Sequence, residues 1–350
     1  MSLGSAYAGR PRFSSEVSMG KERFERILRR QNTDPPGLWL GNPTGTMLEK
    51  LLAYYSVSDR LSLAVRTGED LFFLPADPYI RIPHGALFTV EPTHVLADCE
   101  TLADLSDYHD WPDPCVIDLE AYELEIDRAH ANGLAVAGGM WSCFFHNVAA
   151  LFGMENYFVL MHTAPDVVHA VTKRVIDWLL DANARIYARL AGKLDAFFMG
   201  NDFGTQQGLL ISPAAWRTFV APYYAQLINQ AKDAGLPCMV HSCGAIRAII
   251  PDLIGLGVDG LHPLQALAAG MDAESLACYK GDFAFIGGID TQRLLPFGSP
   301  EEVERDVLRV YEQFGTNWIV SPSHEGYQED VPAENIDAIV RAVHRIQQRQ

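Results

Sequence analysis

From Ile117 onward, short apolar segments alternate with single amphipathic helices, and this alternation limits the chain to parallel-sheet folds. Helical periodicity over 119–132 leads into a strand at 134–137. A mixed polar and apolar stretch follows, then a long helix over 164–191. Strands at 196–199, 237–240, 260–261, 283–286 and 318–320 are then separated by helices at 213–234, 245–256, 273–280 and 300–314. A last helix over 332–348 closes the series. Ser212-Pro213 and Ser299-Pro300 read as helix caps before a first-turn proline, and Asp272 as a cap. Neighbouring strands joined by one helix must run parallel, and their crossovers are right-handed.

The N-terminal third is less regular. A helix is expected over 21–30, followed by an irregular arm through Pro35-Pro36-Gly37. An amphipathic helix carries Leu48, Leu51, Leu52 and Tyr55 on one face, and Leu71-Phe72-Phe73-Leu74 is a short buried strand. Residues 79–114 lose helical periodicity and read as an insertion, antiparallel around 86–96. The expected architecture is an α/β fold, a (β/α)8 TIM barrel forming one domain over 1–350. It has an N-terminal helical arm (1–42) and a small antiparallel insertion (79–114). A doubly wound open sheet is the rival, but no Gly-x-Gly-x-x-Gly follows an early strand.

The formal net charge of −17 argues against a nucleic-acid surface, which needs clustered Lys and Arg. No apolar run is long enough to span a membrane. Six unevenly placed cysteines in 350 residues do not form a disulfide framework, so a cytoplasmic location is expected.

Barrels of this kind carry their chemistry at the C-terminal strand ends. Here one strand ends in Asn201-Asp202, the next in His241-Ser242-Cys243-Gly244, and the next in His262 and Gln265. Two more end in Gly287-Gly288-Ile289-Asp290 and in Ser321, Ser323, His324 and Glu325. An earlier strand leads to Cys143 and His146 as weaker candidates. An imidazole and a thiol two residues apart suit a borderline-soft ion, zinc above all. His241, Cys243 and His324 are the expected ligands, with Asp202 either a fourth ligand or an acceptor orienting a histidine. Asp202 and His324 are also the candidate catalytic groups. Gln206, His262, Gln265, Gly288, Asp290 and Gln292 are candidate substrate contacts, the glycines at 287 and 288 allowing close backbone approach to a ligand.

A set of motifs in the second half resembles the superfamily of uroporphyrinogen decarboxylases and zinc-dependent cobalamin methyltransferases. They are Asn201-Asp202-Phe203-Gly204-Thr205-Gln206, Leu210-Ile211-Ser212-Pro213, His241-Ser242-Cys243-Gly244, Gly287-Gly288-Ile289-Asp290-Thr291-Gln292 and Pro322-Ser323-His324. The resemblance implies a TIM barrel and, on the methyltransferase branch, zinc on the His-x-Cys pair with a distant cysteine. His324 stands at that distant position, so a stronger Lewis acid with two imidazoles and one thiolate is implied. Methylcobalamin or a small methylated compound would be the methyl partner, delivered by a corrinoid protein or free, and a homodimer is implied. The decarboxylase branch needs neither metal nor cofactor and binds a carboxylated tetrapyrrole with N-terminal arginines. Arg10, Arg12, Arg23 and Arg26 are present without the surrounding motif. A corrinoid- or tetrapyrrole-binding barrel without catalysis is the remaining alternative.

Overall fold

The computed structural model describes residues 19–32, 35–81, 90–113, 116–324 and 326–348. Eight parallel strands form a nearly closed barrel: β1 (Gly37–Leu38), β2 (Leu71–Pro75), β3 (Ala135–Gly139), β4 (Ala196–Gly200), β5 (Cys238–His241), β6 (Gly260–His262), β7 (Ala284–Ile289) and β8 (Trp318–Pro322). The spatial order is β1-β8-β7-β6-β5-β4-β3-β2. Between β1 and β2 the seam is closed by other means. The Asp70 N–H donates to the Leu38 carbonyl at 2.9 Å. The Leu38 N–H donates to Asp70 Oδ2 and the Leu40 N–H to Glu69 Oε2, each also at 2.9 Å.

The strands obey a period of two with both faces buried, as a barrel wrapped in helices requires. Leu71, Ala135, Ala137, Ala196, Phe198, Met239, Ala284, Ile286 and Ile319 fill the interior. Val136, Phe197, Val240, Phe285 and Val320, one residue out of phase, pack against the outer helices. The outer layer includes α2 (Gly45–Tyr55), α3 (Arg60–Thr67), α5 (Leu119–Ala131), α6 (Phe144–Phe152), α7 (Met154–Thr163), α8 (Pro165–Leu190), α9 (Pro213–Phe219) and α10 (Ala221–Asp233). It continues with α11 (Ile250–Leu256), α12 (Ala273–Leu276), α13 (Leu294–Phe297), α14 (Pro300–Phe314) and α15 (Ala333–Gln347).

The helix expected over 21–30 forms, but it docks into the barrel instead of standing apart as an arm. Helix α1 (Met19–Leu28) presents Phe24, Ile27 and Leu28 to the barrel interior, all fully buried. Their i, i+3, i+4 spacing makes one apolar stripe among charges, and it plugs the N-terminal mouth of the barrel. Gly37-Leu38, read as part of the arm, is the first barrel strand, paired with Ile319 and Val320 of β8. The segment read as an insertion falls partly outside the described residues, at 82–89 and 114–115. Its described part shows one antiparallel bridge, Ile80 to Ile117, and helix α4 (Leu102–Ser106).

Candidate metal centre and its surroundings

Met239 points into the barrel, so His241 two residues on points inward at the C-terminal mouth. It is buried, and the Ser242 N–H is held by the His262 carbonyl at 2.9 Å. The chain then turns at Gly244, with φ +85°. A side chain there would lie 2.3 Å from the Gly204 carbonyl, so two glycines let the loops after β4 and β5 touch. That contact sets Asp202 against Cys243. Asp202 Oδ1 accepts the Cys243 N–H at 2.8 Å and lies 3.1 Å from His241 Nε2. Cys243 Sγ is 3.5 Å from the same Nε2.

The carboxylate, imidazole and thiol offer three donor atoms that all lie within 4.8 Å of one another. Sulfur at about 2.3 Å and nitrogen at about 2.0 Å from one zinc ion, at a tetrahedral angle, stand about 3.5 Å apart. The Sγ–Nε2 separation matches that spacing, and the donor types match a borderline-soft divalent ion, so these residues fit a metal. Burial raises the Asp202 carboxyl, but hydrogen bonds from His241 and the Cys243 amide outweigh it and hold the group well below the usual carboxylate range.

Behind these three lies a supporting layer. His241 Nδ1 meets His262 Nδ1 at 2.8 Å. His262 is fully buried, and burial, then the neighbouring His241 and His324, push it well below the ordinary histidine range. His146 Nε2 accepts the Asp202 N–H at 2.9 Å, and burial pushes this histidine down as well. Gln265 Oε1 accepts the Gly244 N–H at 2.7 Å. Asn201 accepts from the Phe145 N–H and donates to the Ser142 carbonyl, tying the loop after β3 to β4.

Asp77 and Trp141 complete the mouth. Asp77, just past β2, accepts the Trp141 N–H at 2.9 Å. The Trp141 ring stands 5.5 Å from His241 and fills the space that a side chain on Gly200 would need, since an added carbon would meet it at 2.0 Å. Cys143 starts α6 with its thiol toward Asn147, and burial, then the Asp77 charge, push it up to about 12. It is not among the three converging donors. Asp77 carries no motif signal in the sequence beyond an Asp-Pro turn after a strand.

The expected site residues thus divide. Asp202, His241 and Cys243 converge, with His146 beside them. His324 is exposed on the loop after β8, its Nδ1 at 3.0 Å from the Gly326 N–H, and its ring is not among the three converging donors. His262 and Gln265, read as substrate contacts, hold the end of β5 and the turn after it through His262 Nδ1 and Gln265 Oε1. Asp290 is likewise occupied, accepting the N–H groups of Gln292, Arg293 and Leu294 at the start of α13. A side chain on Gly288 would face Phe314 and Val310 of α14 rather than a ligand, and the tight approach at Gly287 is to the Pro263 backbone. Gln206 is exposed, its carbonyl held by the Ala269 N–H. Gln265, Gln292 and His324 do meet, lining with Thr291, Ser323 and Asp330 a depression of about 280 Å³. Arg10, Arg12 and Glu325 lie outside the described residues.

Residues 80–346 match the family model for uroporphyrinogen decarboxylase (URO-D). A uroporphyrinogen decarboxylase of Syntrophotalea carbinolica is 27% identical over 301 residues, covering 83% of this chain and 78% of that protein. A methylated-thiol–coenzyme M methyltransferase of Methanosarcina mazei is 25% identical over 190 residues, 54% of this chain and 48% of that one. Among solved structures, a methyltransferase from Methanosarcina mazei superposes with a TM-score of 0.64 at 15% identity, covering 93% of this chain and 98% of that one. That likeness carries the barrel fold. With a family match spanning most of its length, this chain belongs to the uroporphyrinogen decarboxylase family.

Proposed function

We propose that the chain is a metal-dependent methyltransferase that holds zinc on Asp202, His241 and Cys243 and moves a methyl group from methylcobalamin, or a small methylated compound, to a small thiol. The convergence of Cys243 Sγ and His241 Nε2 at a spacing that suits two ligands of one tetrahedral ion carries this reading. Bound zinc would supply Lewis acidity, lowering the pKa of a coordinated thiol. One thiolate, one carboxylate and one neutral imidazole offset the charge of a divalent ion. That is the formal balance of a set with two thiolates and one imidazole, so Asp202 supplies the charge that a distant cysteine would have given. In the transfer the acceptor sulfur forms the new bond to carbon, and the bond to the donor breaks with its electron pair left on the donor. His146 and Gln265 hold the two loops at their backbone amides. His324, with Gln292 and Ser323, binds a polar group of substrate in the neighbouring depression.

The test is zinc content by elemental mass spectrometry on protein purified without chelator. About one zinc per chain is expected, lost in Cys243→Ser with the fold retained. No zinc in wild type, even after soaking with the metal, would overturn the proposal.

A second reading, metal-free decarboxylation of a carboxylated tetrapyrrole, is favoured by the decarboxylase relative that spans 83% of this chain. Such a substrate needs cations. No Lys or Arg lines the depression among the described residues. Arg23 is committed to Asp70 at the opposite end of the barrel. Carbon dioxide release from uroporphyrinogen by metal-stripped protein would establish decarboxylation and displace methyl transfer.

A further inference from the structure

We propose that His262 is a positioning residue that sets the tautomer of His241, so that metal binding and a paired tautomer shift are one event. The inference rests on the metal reading above. It begins from the 2.8 Å contact between the two Nδ1 atoms. Two neutral imidazoles at this distance share one hydrogen, and whichever ring carries it at Nδ1 leaves its own Nε2 bare.

Two arrangements follow. In the first, His262 carries the shared hydrogen at Nδ1. His241 then has its hydrogen at Nε2 and donates it to Asp202 Oδ1, 3.1 Å away. In the second, His241 donates through Nδ1. Its Nε2 lone pair then faces Cys243 and Asp202, as a ligand must, and His262 carries its hydrogen at Nε2.

The surroundings of His262 separate these states. The ring is fully buried at the end of β6, with Trp39 at 5.0 Å and Phe198 at 5.6 Å between ring centres. Among the described residues, no hydrogen-bond partner reaches its Nε2. The second arrangement therefore sets an N–H without an acceptor inside an aromatic well, and the first satisfies both N–H groups. Metal-free protein adopts the first arrangement, and the metal draws the pair into the second. The pair keeps two hydrogens throughout: His241 gives up the one at Nε2 and takes the one at Nδ1, while His262 gives up Nδ1 and gains one at Nε2. His262 thus acts through His241 and touches no metal itself.

Two variants and one spectrum test this on the full chain. His262→Phe keeps the ring and removes the acceptor. His262→Asn places a carbonyl oxygen near the position of Nδ1, which accepts from His241; its own amide N–H groups are there with and without metal, so metal binding creates no new orphan N–H. Zinc titrated against a chromophoric chelator should bind about 10- to 100-fold more weakly to His262→Phe. His262→Asn should bind as tightly as wild type or tighter. Unchanged affinity in a folded His262→Phe overturns the role; should that variant not fold, weaker binding in His262→Asn overturns it. Long-range ¹H–¹⁵N spectra of histidine-labelled wild type should show the His241 hydrogen at Nε2 without zinc and at Nδ1 with it. A wild type that takes up no zinc overturns the metal reading instead. The metal-free spectrum still decides the tautomer: hydrogen at Nε2 supports the assignment and hydrogen at Nδ1 overturns it.

Discussion

Cys243 and Asp202 come from different strands, and what brings them together is an absence of side chains. Gly244 sits at φ +85° with the Gly204 backbone where its side chain would be, so Gly244→Ala meets both a strained backbone and a carbonyl at 2.3 Å. The two loops must part, and with them the bond from the Cys243 N–H to Asp202. Gly244→Ala is expected to cost about 2 kcal/mol or more, read from denaturant midpoints, and to lower zinc content while Cys243 remains. A variant with wild-type stability and full zinc would mean that the glycine contact does not set the site. His146 acts on the same loop from the other side. Removing its acceptor in His146→Ala strands the Asp202 N–H and should cost about 1–3 kcal/mol, with weaker zinc binding than wild type. His146→Gln, which keeps an acceptor, should recover part of both.

Elements whose identity is written in local pattern were legible in the sequence. Most segments from β3 to α15 follow from periodicity, though α6 and α7 lie in the stretch that reads as mixed polar and apolar and α13 in one that reads as no element, and α14 begins with a capping box at Ser299 and Glu302 where Ser-Pro predicts a start. A helix over 213–234 reads as continuous, yet it breaks into α9 and α10 near Val220. Pro222, in the first turn of α10, supplies no N–H for a helix running through it. What local pattern cannot show is pairing with distant chain. Two residues suffice for β1 because β8 supplies the ladder, and α1 reads as charged because its three apolar residues are outnumbered. The site divides the same way. His241, Cys243 and Asp202 were legible because strand ends fix their direction. His324 meets the Gly326 N–H on the loop after β8, and its ring is not among the three converging donors. The burial of α1 gives its own prediction. Phe24→Ala empties a fully buried position in the plug and should cost about 3–5 kcal/mol, measured by denaturant unfolding. A loss under about 1 kcal/mol would show that α1 rests on the barrel rather than completing its core.

At the scale of the whole molecule, the barrel is held shut where its sheet has two ends. Asp70 is buried at the β1–β2 seam, where its Oδ2 accepts the Leu38 N–H and its carboxylate takes a two-point contact from Arg23, at 2.7 and 3.1 Å. One carboxylate therefore joins the helical plug, the first strand and the second. Burial dominates its ionisation and raises the carboxyl above its usual range, with Arg23 pulling it back. Arg23→Met keeps a long side chain over the seam but removes that pull, leaving a buried charge uncompensated. At neutral pH the variant should lose about 3–5 kcal/mol, the cost of breaking a buried pair from one side. The sign of its pH dependence follows from the raised carboxyl. Folded Asp70 holds a proton at pH values where the unfolded chain has lost it, so stability falls as pH rises through that window and recovers as pH is lowered. Wild type, with Arg23 in place, should show less of this recovery. Adding Asp70→Asn to Arg23→Met removes the stranded charge, so the double variant should be less destabilised than the sum of the singles and should lose the pH-dependent part. Denaturant midpoints of the four proteins across mildly acid to neutral pH decide it. An Arg23→Met variant whose loss does not change with pH would show that the seam is held by packing of α1 and the Leu38 amide, with the ion pair adding little.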